Sequence, residues 1–210
     1  MSIITIEHFK QANNLYIPIA TDFPVANTSA TPPNVSDAIT NLITKVEKNV
    51  LLNALGLSAY NELISVLPDI DEPENEKWKK LVEGEEYDGK LWNGLQWEFS
   101  LLAYAVKMEF LFLNAQNLQG IGVVEAQPQN GVFMSPQFEI ANLSVKFVEM
   151  YQGDFLYHPI VYDDFIDWAG SRQSETEPSL YGYLYDKRAD FENIDLNKFQ
   201  IYKPFNSFGL

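Results

Sequence analysis

The chain has 210 residues, of which 46% are hydrophobic and 14% aromatic, enough to bury one good-sized core and too many for a disordered chain. Its formal charge of -15, with Arg172 and Arg188 the only arginines, excludes a grip on phosphate backbones, which needs clustered cations. With no cysteine, the chain has neither a disulfide framework nor a thiolate metal site.

The acidity suits a solvated surface, or the wall of a passage through which DNA must slide without sticking. The start, Met-Ser-Ile-Ile-Thr-Ile-Glu-His, lacks the basic head and long apolar run of a secretory signal. The most hydrophobic run, Leu101 to Leu113, is short for a bilayer and contains Lys107 and Glu109, so it reads as a core helix, and no membrane partner is expected.

In chain order, Thr5 can cap a short helix to about Asn13, with Ile6, Phe9 and Ala12 on one side. Residues 21 to 34, rich in proline and small polar residues, read as an arm or linker. Ser36 can cap a helix carrying Ile39, Leu42, Ile43, Val46 and Val50 at three- and four-residue steps as far as Gly56; Ser58 opens a second that Pro68 ends. An acidic loop over 69 to 76 precedes a helix through Trp78, Leu81 and Val82, and Asp88-Gly89 predicts a tight turn between two brief extended pieces.

The periodicity then predicts one long helix from Leu91 to Leu118 with two apolar faces. One face collects Leu95, Phe99, Leu102, Val106, Phe110 and Leu113; the other collects Trp97, Leu101, Tyr104, Met108 and Leu111. Polar stripes divide them, one of Gln96, Ser100, Lys107 and Asn114, the other of Glu98 and Glu109. Such a helix asks for partners on both sides, one of them the chain's own core and the other a neighbouring subunit.

Ile121, Val123 and Val124, a loop at Pro128-Gln129-Asn130-Gly131, and Val132-Phe133-Met134 then read as a hairpin. Ser135-Pro136 starts a helix with Phe138, Ala141, Val145 and Val148 facing inward until Gly153, and Pro178 starts a short one through Leu180 and Leu184. The expected fold is mainly α, a helical bundle with a small β-hairpin insertion and extended N- and C-terminal arms. Residues 1–35 form the N-terminal helix and arm, 36–198 the helical core domain with the hairpin near 121–134, and 199–210 a C-terminal docking tail.

Nothing in the chain carries a reaction signature, and no catalytic, cofactor-binding or metal-binding residue is assigned. His8 and His158 lie near no nucleophile motif; Gly120-Ile121-Gly122 follows a helix and lacks the third glycine of a dinucleotide site; and the 69 to 76 loop lacks the glycine and spacing of a calcium loop. Asp163, Asp164 and Asp167 make a second acidic cluster, open to a hydrolase reading that lacks a histidine partner, or to plain placement at a helix start. The candidate site is therefore an interface: Trp97, Leu101, Tyr104 and Met108 on the two-faced helix, and Phe199, Tyr202, Phe205 and Phe208 in the tail.

Three pieces of sequence carry a family resemblance: Leu55-Gly56-Leu57-Ser58-Ala59-Tyr60-Asn61-Glu62-Leu63, the run from Lys77-Trp78-Lys79-Lys80-Leu81 through Tyr87 to Trp92-Asn93-Gly94-Leu95, and the ending Asn206-Ser207-Phe208-Gly209-Leu210. From about Ser36 to its end the chain resembles the head-to-tail connector, or ring, proteins of tailed bacteriophages, particularly those infecting Bacteroidota, the crAss-like phages included. The resemblance implies a non-enzymatic virion protein, assembled in the host cytoplasm as a ring of identical copies between portal and tail. Its partners would be copies of itself, the portal and other connector or tail proteins, with genomic DNA passing through the lumen unbound. The arm at 21 to 34 has no counterpart in the resemblance, and neck and tail-barrel proteins share the same texture, which leaves the level in the stack open. A different class of reading fits the same acidity: an adaptor or inhibitor that mimics nucleic acid and captures a basic partner.

Overall fold

The structure, a computed structural model, describes residues 2–10, 15–17, 35–115, 118–119, 122–123, 136–153 and 176–203. The arm at 21–34, the tail beyond Lys203, the acids Asp163, Asp164 and Asp167, His158, and the predicted hairpin loop with its second strand lie outside the described residues. The fold is mainly helical with a small antiparallel hairpin.

Helix α1 runs Val35–Val66 and breaks where its sequence says it should, at Gly56, whose φ of 76° and ψ of 168° are not helical. A 3-10 turn, Leu67–Asp69, follows with Pro68 in its first turn, and a second, Pro73–Asn75, leads into α2, Glu76–Glu83. By length and hydropathy alone the helix from Asp37 could cross a bilayer. Its apolar positions are used otherwise: Ile39, Ile43, Val46, Val50, Leu51, Ala54 and Leu55 are all buried in the core of the chain.

Strands β1, Glu85–Tyr87, and β2, Lys90–Trp92, form a hairpin in which Tyr87 pairs with Lys90 and Glu85 with Trp92. Asp88 and Gly89 both take positive φ, 47° and 74°, as the tight turn read from Asp-Gly requires.

Helix α3 spans Leu101–Ala115, so the expectation of a single helix from Leu91 is corrected at its first ten residues. Leu91 and Trp92 are drawn into β2, and Leu95 and Gln96 donate to the carbonyls of Leu81 and Val82 at 3.2 and 2.9 Å, leaving this stretch laid against the end of α2. The contact is so close that a Cβ on Gly84 or Gly94 would collide with the opposite backbone, and both glycines take positive φ. Ser100 then starts α3, its hydroxyl accepting from the Ala103 amide at 3.4 Å.

A short antiparallel pair, β3 (Leu118–Gln119) with β4 (Gly122–Val123), follows α3, so Leu118, expected to end the long helix, lies in a strand, and Val123, expected to pair forward across the 128–131 loop, pairs back with Leu118. Helix α4, Pro136–Gln152, starts at the predicted proline and stops at Gly153, where φ is 96°. It packs antiparallel to α3: Lys107 approaches Glu139 at 3.6 Å near one end, while Trp97, Leu101 and Met150 share a small cleft at the other. Helix α5, Leu180–Asp186, is capped by Ser179, whose hydroxyl accepts from the Gly182 amide at 3.1 Å. Its ring-bearing face stacks on the hairpin, Tyr183 lying against Trp92 with centroids 4.9 Å apart.

Both α1 and α4 pack against α3 inside one chain. Leu95, Leu102 and Val106 from one face and Leu101 from the other are buried, and two members of the stripe meant to separate them are covered as well, Ser100 and Lys107 being 1% and 6% exposed, while Gln96 stays exposed. The premise that this helix needs a neighbouring copy to cover it does not hold over its first two turns. Towards its C-terminal end it does stay open: Phe112 and Leu113 are 44% and 48% exposed. Phe138, expected to face inward, is 53% exposed at the start of α4.

Candidate interaction surfaces

An apolar groove of about 360 Å3 lies where α1, α3 and α4 diverge. Val46 and Val50 of α1, Ala105 and Met108 of α3, and Phe147 and Val148 of α4 supply its walls, with Asn49, Asn53 and Ser144 as polar points. Glu109 lies on the same lining, paired with Lys45 at 3.2 Å across α3 and α1. Tyr202 and Lys203, the last two described residues, complete the lining.

That position of the C-terminal segment is built from neutral groups. Gln152, wholly buried at the end of α4, donates its amide to the Tyr202 carbonyl at 2.9 Å and accepts from the Tyr202 amide at 2.8 Å, imitating a strand partner. Asn53 of α1 takes part twice, its carbonyl accepting from the Gln200 amide at 3.0 Å and its side chain donating to the Tyr202 hydroxyl at 2.5 Å. Phe199 is buried against Tyr151 and Tyr181, with centroids 4.6 and 5.0 Å away.

The N-terminal segment is held by buried charges. Glu47 of α1, 3% exposed, receives the Ile3 amide at 3.0 and 3.1 Å and the Ile4 amide at 3.4 Å. Burial raises its carboxyl above the ordinary value, against those amides, which favour the charged form. Lys107 of α3 donates to the Tyr16 carbonyl at 2.6 Å; burial lowers its ammonium below the ordinary value, with Glu139 opposing. Glu47 escaped the sequence reading, and Lys107 was read as a member of a polar stripe. The sign for Glu47 was its place among Ile43, Val46 and Val50, on the face that packs inward.

The eight interface candidates separate. Met108 and Tyr202, both half-buried, come together on the groove. Trp97 and Leu101 meet in the smaller cleft with Trp92, Met150 and Pro178, Trp97 being 39% exposed and Leu101 only 1%. Tyr104 is half-buried on α3, and Phe199 belongs to the chain's own core. Phe205 and Phe208 lie outside the described residues. What the candidates omitted is the open end of the α3–α4 pair, where Phe112, Leu113 and Phe138 stand exposed at the point from which the 20-residue connection 116–135 departs.

Of the residues read for chemistry, His8 and members of the 69–76 loop are described, and they bond within the chain, as do Glu62 and Tyr183. His8 closes the first turn through its Nδ1, 3.2 Å from the Thr5 amide, and its Nε2 lies 3.0 Å from the Gln96 carbonyl. In the 69–76 loop, Asp71 pairs with Lys79, and Asn75 donates to the Asp69 carbonyl at 2.8 Å. Glu62 is held below its usual carboxylate range by the Lys77 ammonium bonded to it, and also receives Trp78 and Asn193. Tyr183 is bonded to Glu85, and burial with that carboxylate keeps its hydroxyl protonated, the wrong direction for a base. Among the described residues no three His, Asp or Glu side chains converge as metal ligands do. No family model, no curated protein and no solved structure matches the chain.

Proposed function

We propose that the chain is a structural ring subunit of a tailed-phage head-to-tail connector, working by shape, with no bond made or broken. The observation that carries this reading is the open end of the α3–α4 pair, where Phe112, Leu113 and Phe138 present 44%, 48% and 53% of their surfaces to solvent, three of the seven large apolar side chains exposed among the described residues. Large apolar side chains grouped at one helix end mark a place where another protein sits. A contact between that end and a different surface of the next copy is head-to-tail, the kind that closes into rings. Support comes also from the helical build and from the resemblance carried by Leu55–Leu63, Lys77–Leu95 and Asn206–Leu210. The net charge of -15 suits a lumen that lets DNA pass.

The test is imaging and mass measurement of the purified full chain beside the variant F112S/L113S/F138S. Closed rings of many copies are expected for the unsubstituted chain. The variant should stay as single copies with an unchanged unfolding midpoint, because the replaced side chains contribute little to the monomer's core. A discrete low-order species that captures a basic protein would overturn the ring in favour of an acidic adaptor.

A further inference from the structure

We infer that Lys77, Glu62 and Asn193 form a self-reacting cross-link site, in which the Lys77 amine displaces ammonia from the Asn193 carboxamide and Glu62 carries the protons. The three side chains come from α2, α1 and the segment that follows α5, and Asn193 is 131 positions from Glu62, so no motif announces them. They meet on one carboxylate. Glu62 Oε1 accepts from the Lys77 Nζ at 2.9 Å, and its Oε2 accepts from the Asn193 Nδ2 at 2.6 Å. The attacking nitrogen and the leaving nitrogen are thus each held by a separate oxygen of the same base, where a proton carrier must stand in an acyl transfer from amide to amine.

The surroundings fix this arrangement. Trp78, buried in the core, also donates its Nε1 to Glu62 Oε1, at 2.9 Å, and so sets the carboxylate's orientation. Its ring meets the buried Phe191 edge-on with centroids 5.2 Å apart, and the two rings form an apolar wall 5.1 and 5.9 Å from the Lys77 Nζ. Holding amine and amide against one carboxylate in this way turns a bimolecular encounter into an internal one. Lys77 and Glu62 keep about a third of their side-chain surface open, which gives ammonia a way out to solvent, and its loss makes the step irreversible.

The step balances without a co-reactant. Glu62, which the Lys77 ammonium holds in its charged form, takes a proton from that ammonium, and the free amine adds to Asn193 Cγ. The protonated carboxyl hands its proton to Nδ2, which leaves as ammonia, and the same carboxylate removes the extra proton from Nζ as the carbonyl re-forms. That last proton passes to the ammonia. One C–N bond forms and one breaks, an amide joins Lys77 to Asn193, and an ammonium ion departs. The link ties α2 to the segment after α5 within one copy, so it stands or falls independently of ring assembly.

Mass spectrometry of the full-length protein, aged at neutral pH, decides the matter. The intact mass should be lower by one ammonia, and digestion should release a branched peptide joining the segments that hold Lys77 and Asn193. Lys77→Arg keeps a cation beside Glu62 but supplies no reactive amine, and should show the full mass and no branch. Glu62→Gln should lose the branch as well, although Lys77 and Asn193 are both present. Recovery of the Lys77 and Asn193 peptides of the unsubstituted chain only in unlinked form overturns the proposal, whether or not the variants fold. So does an ammonia loss that survives Lys77→Arg, which would belong to an asparagine closing on its own backbone, as Asn93-Gly94 can. A branch that still forms in Glu62→Gln overturns the proton-carrying role of Glu62.

Discussion

The two ends of the described chain are both fastened to α1, one also to α3 and the other also to α4 and α5, and by opposite means. At the N-terminal end, Glu47 and Lys107 are buried charges that grip backbone amides and a carbonyl of residues 3, 4 and 16. At the C-terminal end, Gln152 and Asn53 are neutral amides, and rings do most of the covering. Charged hydrogen bonds are individually stronger, but burying an ion costs several kcal/mol of hydration that a neutral amide does not forfeit. The N-terminal fastening should therefore respond to pH, and the C-terminal one should respond to packing.

The largest effect tests packing. Phe199 touches Tyr151 and Tyr181 and is 7% exposed, so Phe199→Ala should cost about 3–4 kcal/mol in urea unfolding. Loss near 1 kcal/mol would show that the segment is loosely laid on the helices and that the rings do not hold it.

The contrast itself is sharpened by pairing Gln152→Leu with Glu47→Gln. Gln152→Leu strands the Tyr202 amide and carbonyl, each otherwise satisfied, and should cost about 1–3 kcal/mol with no change in pH dependence. Glu47 behaves differently. Because its carboxyl is raised in the folded chain, the folded state binds a proton more tightly than the unfolded state between the ordinary carboxylate value and the raised one. Stability contributed by this group is therefore full below that window and falls as pH rises through it. Glu47→Gln should flatten that fall, read as unfolding midpoints across a mildly acidic to neutral series. A profile unchanged by Glu47→Gln, or one altered by Gln152→Leu, would erase the distinction between the two ends.

Local elements of this fold were legible in the sequence, and the features that join distant segments were not. Gly56, Asp88-Gly89, Pro136, Gly153 and the α5 start at Pro178-Ser179 all act where they stand, through dihedral freedom, turn preference or a cap, and the structure places breaks and starts at those residues. The start of α3 was misread because the apolar period continues unbroken back to Leu91. What interrupts it is the pairing of β2 with β1 and the close approach of Gly94 to Gly84, neither of which leaves a mark on periodicity. Lys107 was placed on a polar stripe between the two apolar faces, with no sign of burial, because its partner carbonyl, on Tyr16, is 91 residues away. The groove is harder still, since residues from 46 to 203 are needed to line it. Among the described interface candidates only Met108 and Tyr202 reach it together, and both were chosen as aromatic or apolar residues, not as neighbours.

The smallest effect has the opposite sign and examines whether the C-terminal fastening is as complete as its ring packing suggests. Tyr151 is wholly buried, stacked on Phe147, tilted against Phe199 and edge-on to Tyr202, yet among the described residues its hydroxyl has no hydrogen-bond partner. Burial raises that hydroxyl's pKa, with the neighbouring Tyr202 adding to it, so it stays protonated and gains nothing from charge. An unsatisfied buried polar atom forfeits its hydration, about 1–3 kcal/mol, without a bond in return. Tyr151→Phe removes only that oxygen and keeps the ring where Phe199 needs it. It should therefore stabilise the chain by about 0.5–1 kcal/mol at all pH values, read as a higher urea midpoint with an unchanged slope. Destabilisation instead would mean that the hydroxyl meets a partner in the native protein, and the C-terminal end would then owe part of its hold to a polar contact after all.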